Sequence, residues 1–123
     1  MITSMQVTGV NYEVDKNTHK YAIKRIGRLD RYLPKHARKT VSVTVKLSQV
    51  NHDHGNKYEA EAIMHVPGKV LTAKDSTSNI MAAIDIVEAK LLSQLHDYKE
   101  ANIAHLGKRG IMSRFKRSFK REL

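Results

Sequence analysis

The sequence contains no cysteine and no tryptophan, only two prolines, two phenylalanines and six glycines in 123 residues. Without cysteine there is no disulfide, no thiolate metal site and no thiol nucleophile, which fits a reducing compartment. No uncharged apolar run reaches the roughly eighteen residues of a membrane span. Residues 1–10 lack the basic-then-apolar order of a secretory signal. Glycine-rich phosphate loops, serine elbows and placed Ser/His/Asp sets are also missing. These absences point to a soluble, cytoplasmic chain that is not an enzyme, with no cofactor and no small-molecule substrate.

Acid is scarce beside base. Lys and Arg number 22 against 12 Asp and Glu, a formal net charge of +10. Residues 1–107 hold 15 basic and 11 acidic side chains, whereas residues 108–123 hold seven basic ones against Glu122 alone. A basic chain with a concentrated basic end favours polyanions: nucleic acid, anionic lipid or an acidic protein. Hydrophobic residues make up 41%, enough for one core, and a chain of this length buries roughly two-thirds of its unfolded surface.

The apolar pattern gives the order β-α-β-β-β-α. Residues 5–10 read as a short strand anchored by Val7. Asp15 offers an N-cap, and helical spacing runs from Lys16 to Leu33, where Pro34 ends it. Residues 40–50 alternate cleanly, with Val41, Val43, Val45 and Leu47 on one face. A polar turn, Asn51 to Asn56, leads to a second alternating run, Tyr58 to Val66. Pro67-Gly68 suits the centre of a type II turn, so Val70 to Lys74 returns antiparallel. Residues 76–79 offer caps for a helix from Ile80 to Asn102 whose core stripe is Ile80, Ile84, Val87, Leu91, Leu95 and Tyr98. The expected architecture is an α+β two-layer sandwich: a four-stranded sheet with two helices on one face. Residues 1–105 form this domain, and residues 106–123 are a basic, flexible tail.

Functional residues concentrate on the first helix. At about 100° per residue, Lys16, Lys20, Lys24, Arg28, Arg31 and Lys35 share about a third of the circumference, with Arg25 at the flank. Ala22, Ile26, Leu29 and Leu33 lie opposite. Ordinary solvated faces mix both signs in i,i+4 pairs; here only Asp15 and Asp30 interrupt the bases. Phosphate contact is the expectation. The tail is the second basic segment, with Lys108, Arg109, Arg114, Lys116 and Arg117 around Phe115, which sits four residues before Phe119. RNA contact, adsorption to an anionic membrane and simple solubilisation remain alternatives for it, with RNA favoured. His52, Asp53 and His54 adjoin but have no third ligand or zinc-like spacing, so no metal site is expected. Asp85 and Glu88, near one turn apart on the second helix, read as a solvated carboxylate pair.

Three segments taken in order carry a resemblance over about residues 5–102: VTGVNYEVD (Val7 to Asp15), KRIGRLDRYL (Lys24 to Leu33) and AAIDIVEAKLLSQL (Ala82 to Leu95). Together they resemble the ribosome hibernation-promoting factor and ribosome-associated inhibitor family, in its short form. The resemblance implies occupation of the decoding region of the small ribosomal subunit, contact with ribosomal RNA, and exclusion of messenger and transfer RNA. By matched position Lys24, Arg25, Arg28, Arg31, Lys90 and Gln94 would make the contacts, and Lys99 adds another base to the second helix. The family commonly has Arg, Lys and Tyr where this chain has Ser93, Asp97 and Met81, so the second helix is less basic. Any ribosome pairing by a short form would call on a second hibernation factor or on ribosome contacts alone. The alternative is another RNA-binding module, such as a general structured-RNA binder or a ribosome assembly factor.

Overall fold

A computed structural model describes residues 1–50 and 57–107, with 101–107 as backbone alone. The His52, Asp53 and His54 turn and the tail bases Lys108, Arg109, Arg114, Lys116 and Arg117 lie outside the described residues.

Strand β1 (Ser4–Val10) leads into helix α1 (Lys16–Gly27). A 3-10 helix (Arg28–Tyr32) and a short helix α2 (Lys35–Arg38) follow. Strands β2 (Ser42–Gln49), β3 (Tyr58–Val66) and β4 (Lys69–Thr77) precede the long helix α3 (Ile80–Gly107). The sheet order is β1-β2-β3-β4. β1 and β2 run parallel, which requires the crossover that α1 supplies; the other two pairs are antiparallel. This is the expected α+β sandwich, with α1 and α3 on one face of the sheet.

Local chemistry explains the boundaries. Asp15 caps α1, its carboxylate accepting from the Thr18 backbone N–H at 3.2 Å. Hydrogen bonding from Thr18 also holds the Asp15 carboxyl below its ordinary value. Val66 pairs with Lys69 around Pro67-Gly68, and Gly68 takes the positive φ of 78° that a type II turn requires. At Gly9 a Cβ would collide with the Tyr12 carbonyl oxygen, where the chain folds back after β1. Asn79 caps α3, its side-chain oxygen accepting from the Met81 backbone N–H at 2.8 Å.

The expected single helix from Lys16 to Leu33 is corrected. α1 ends at Gly27 and the chain tightens into 3-10 geometry. Glycine is a poor helix former, and Gly27 lets the turn lie against Met1 and Met5 side chains. Arg38 then seals the carbonyls left open at this end. Its Nε donates to Asp30 O at 3.1 Å and Leu33 O at 2.9 Å, and a terminal nitrogen donates to Arg31 O at 3.2 Å.

The core lies between the sheet and the two helices. Val43, Val45, Leu47, Ala60, Ala62, Met64, Leu71 and Ala73 face inward from the strands. Ala22, Ile26, Leu29 and Leu33 meet them from the first helical segments, and Ile84, Val87, Leu91 and Leu95 from α3. Each of the larger side chains contributes about 1.5–3 kcal/mol on burial. Tyr98 closes the far end, its hydroxyl donating to Pro67 O at 2.9 Å.

Candidate functional site

α1 places its bases on two surfaces. Lys16, Lys20 and Lys24 are exposed, and none has an ion-pair partner among the described residues. Four-residue spacings keep them in one row, opposite buried Ala22 and Ile26. Arg25, one residue further round, turns toward α3 instead.

There it enters a five-residue network with α3. The Tyr21 hydroxyl donates to Asp85 Oδ1 at 2.6 Å, and Arg25 Nε donates to the Tyr21 oxygen at 3.1 Å. Arg25 also lies 3.2 Å from Asp85 and 3.5 Å from Glu88. Arg28 Nε meets Glu88 Oε2 at 2.9 Å. The Asp85 hydrogen bond raises the Tyr21 phenol above its ordinary value. Asp85 and Glu88 are therefore not a solvated pair: they are the acidic side of the α1–α3 joint. Nothing local in the sequence marks this, because Arg28 and Glu88 are separated by 60 residues.

The break at Gly27 also redistributes the remaining bases. A continuous helical wheel does not apply beyond it, so Arg28, Arg31 and Lys35 do not prolong the Lys16–Lys20–Lys24 row as a single helical ridge. Arg31 is exposed, its guanidinium 5.2 Å from the Tyr32 ring centroid. Lys35 is exposed on α2.

On α3, Lys90 and Gln94 point to the β4 edge. Lys90 Nζ donates to Lys74 O at 2.9 Å and Gln94 Nε2 to Thr72 O at 2.6 Å. These contacts cover carbonyls that an edge strand leaves unpaired. Lys99 is exposed further along α3. Among the described residues, the expected site residues thus fall on α1, the 3-10 helix and α2, with the acidic joint beside them, and on α3, where Lys90 and Gln94 meet the β4 edge.

The open face of the sheet has a different character. Register brings Thr8, Lys46, Glu61 and Lys74 into one row across all four strands. Lys74 lies 3.1 Å from Glu59, which raises its ammonium above the usual lysine value. Mixed and paired charge makes this face a weaker phosphate surface than α1.

The model of the Sigma 54 modulation protein / S30EA ribosomal protein family matches residues 5–102. The chain belongs to this family. Within the S30EA ribosomal protein family, it is 31% identical over 97 residues to a ribosome hibernation promotion factor of Picosynechococcus, covering 78% of this chain and 49% of that protein. It is likewise 31% identical over 94 residues to a Deinococcus radiodurans protein of the same name, covering 76% and 48%. The chain thus spans about half the length of the curated relatives it matches. The crystal structure of the Thermus thermophilus Protein Y N-terminal domain superposes with a TM-score of 0.63 at 26% identity, covering 76% of this chain and 94% of that one. A ribosomal subunit interface protein from Coxiella burnetii shares the fold, with a TM-score of 0.64 at 22% identity over 80% of this chain and 99% of its own.

Proposed function

We propose that this chain is a ribosome hibernation factor that binds ribosomal RNA in the decoding region of the small subunit and blocks access of messenger and transfer RNA. The observation that carries the reading is the row Lys16, Lys20 and Lys24, exposed on a rigid helix and unpaired among the described residues, in a chain of net charge +10. Family membership supports the ribosome as target, since relatives bear the name ribosome hibernation promotion factor.

Occupancy alone accounts for the effect, so no bond is made or broken. A rigid two-layer domain seats its lysine row on phosphates, and its bulk excludes the natural ligands. Structured RNA is read mainly by shape and backbone, which suits lysines better than a base-reading set. In this reading Arg25 and Arg28 act partly as the joint that sets the angle of α1 on α3. The basic tail, with Lys108, Arg109, Arg114, Lys116 and Arg117, adds phosphate contacts, and any pairing of ribosomes draws on a second hibernation factor or on ribosome contacts alone.

Sedimentation of the pure protein with small subunits, against a free RNA duplex as competitor, tests the proposal. It predicts that the protein pellets with the subunits, resists displacement by duplex and inhibits translation in vitro. Equal preference for the duplex would leave a general structured-RNA binder as the better reading.

A further inference from the structure

A groove lies between the 3-10 helix, which follows α1 directly, and α3. Its lining includes Arg28, Leu29, Arg31, Tyr32, Glu88 and Leu92, and its volume is about 160 Å³. That is below the roughly 300–1,000 Å³ of drug-sized ligand pockets. A groove of this size suits a single flat ring system rather than a larger ligand. Leucines and the Tyr32 ring supply an apolar slot, and two arginines supply charge at its border.

We propose that this groove takes one unstacked base of a single RNA strand. The inference rests on the reading above that the chain binds RNA, and adds a base-holding slot to it. Three observations define the occupant. First, the Tyr32 ring is held in place, with the Arg31 guanidinium 5.2 Å from its centroid and the His96 ring 6.1 Å away at 57°. Aromatic rings beside arginine are the usual platform for unstacked bases. Second, Arg28 engages Glu88 through Nε and keeps 39% of its side chain exposed, so its guanidinium is within reach of solvent to meet the phosphate attached to the base. Arg31, exposed, offers a second fork on the same side.

Third, the Glu88 carboxylate lines the slot and is mostly covered, with 13% of its side chain exposed. A carboxylate has about four acceptor positions, and its two arginine partners leave some unused. A bare anion is repelled there, whereas an amino-bearing base edge is accepted. Cytosine, adenine and guanine carry such a group and uracil does not. The slot therefore prefers an amino-bearing base over uracil, and a strand over a free phosphate.

Fluorescence anisotropy with labelled six-nucleotide RNA strands, at one fixed salt concentration, tests this. The expected result is cytidine hexamer bound at least about tenfold more tightly than an abasic strand of the same length, within the range for one base on an aromatic ring. The uridine hexamer should fall between them. Ala89 lines the same groove and is exposed on α3, so Ala89→Leu fills the slot with a good helix former. It should lower cytidine binding to the abasic level and leave abasic binding unchanged. Tyr32→Leu should repeat this loss, with circular dichroism confirming the fold of both variants. Equal affinity for cytidine and abasic strands, or undiminished cytidine preference in Ala89→Leu, would overturn the slot. Displacement of the cytidine strand by free cytidine monophosphate at equal concentration would overturn the strand as its source. Salt-sensitive binding of the abasic strand without base dependence would defeat the slot and leave the RNA reading intact. Failure to bind any strand or the small subunit would defeat both.

Discussion

At the residue scale, what separates one base from another is its partner. Arg25 and Arg28 face Asp85 and Glu88, and Lys90 and Gln94 face the β4 edge, whereas Lys16, Lys20 and Lys24 face solvent. A lysine that neutralises a phosphate releases counterions, so its removal flattens the salt dependence. Lys20→Ala and Lys24→Ala are each expected to lower the slope of log affinity against log salt by about one, with the fold unchanged. Titration of binding to small subunits over a range of salt measures this. Reversing Arg28 is a less clean test, because Arg28→Glu sets a second carboxylate against Glu88 and disturbs packing as well as binding. These distinctions were not legible in the sequence: a wheel records where a side chain points along one helix, not what the next helix brings to meet it.

Element by element, alternation made the sheet legible. Val43, Val45 and Leu47, and Ala60, Ala62 and Met64, are all buried on the side that period-two spacing assigns them. The α3 stripe from Ile80 to Tyr98 is buried for the same reason at helical period. The change to 3-10 geometry after Gly27 was not legible, since Leu29 and Leu33 satisfy either winding over so short a stretch. Two predictions belong here. Leu91 is fully buried on α3, so Leu91→Ala should cost about 2–5 kcal/mol in urea unfolding. The Tyr21 phenol, held up by Asp85, should titrate above the usual tyrosine value of about 10. Because its folded value is raised, the stability it contributes is present below about pH 10 and is lost as pH climbs through the folded value. Ultraviolet titration should show a late-ionising tyrosine that Tyr21→Phe removes.

For the molecule as a whole, the design is a basic helix mounted on a sheet and fixed at its angle by an acidic joint. Charge is divided by surface: unpaired lysines on α1, paired and mixed charge on the open sheet face. If about six phosphates are neutralised, affinity should fall roughly a thousandfold between about 50 and 200 mM salt. Binding that resists salt would mean the interface is not phosphate-led.

The most direct measurement is an electron-microscopy map of the protein bound to the small ribosomal subunit. The account predicts that the domain sits in the decoding region with Lys16, Lys20 and Lys24 of α1 against ribosomal RNA and the open sheet face turned away. A map with the domain outside that region, or with the sheet face on the RNA and α1 in solvent, would contradict it.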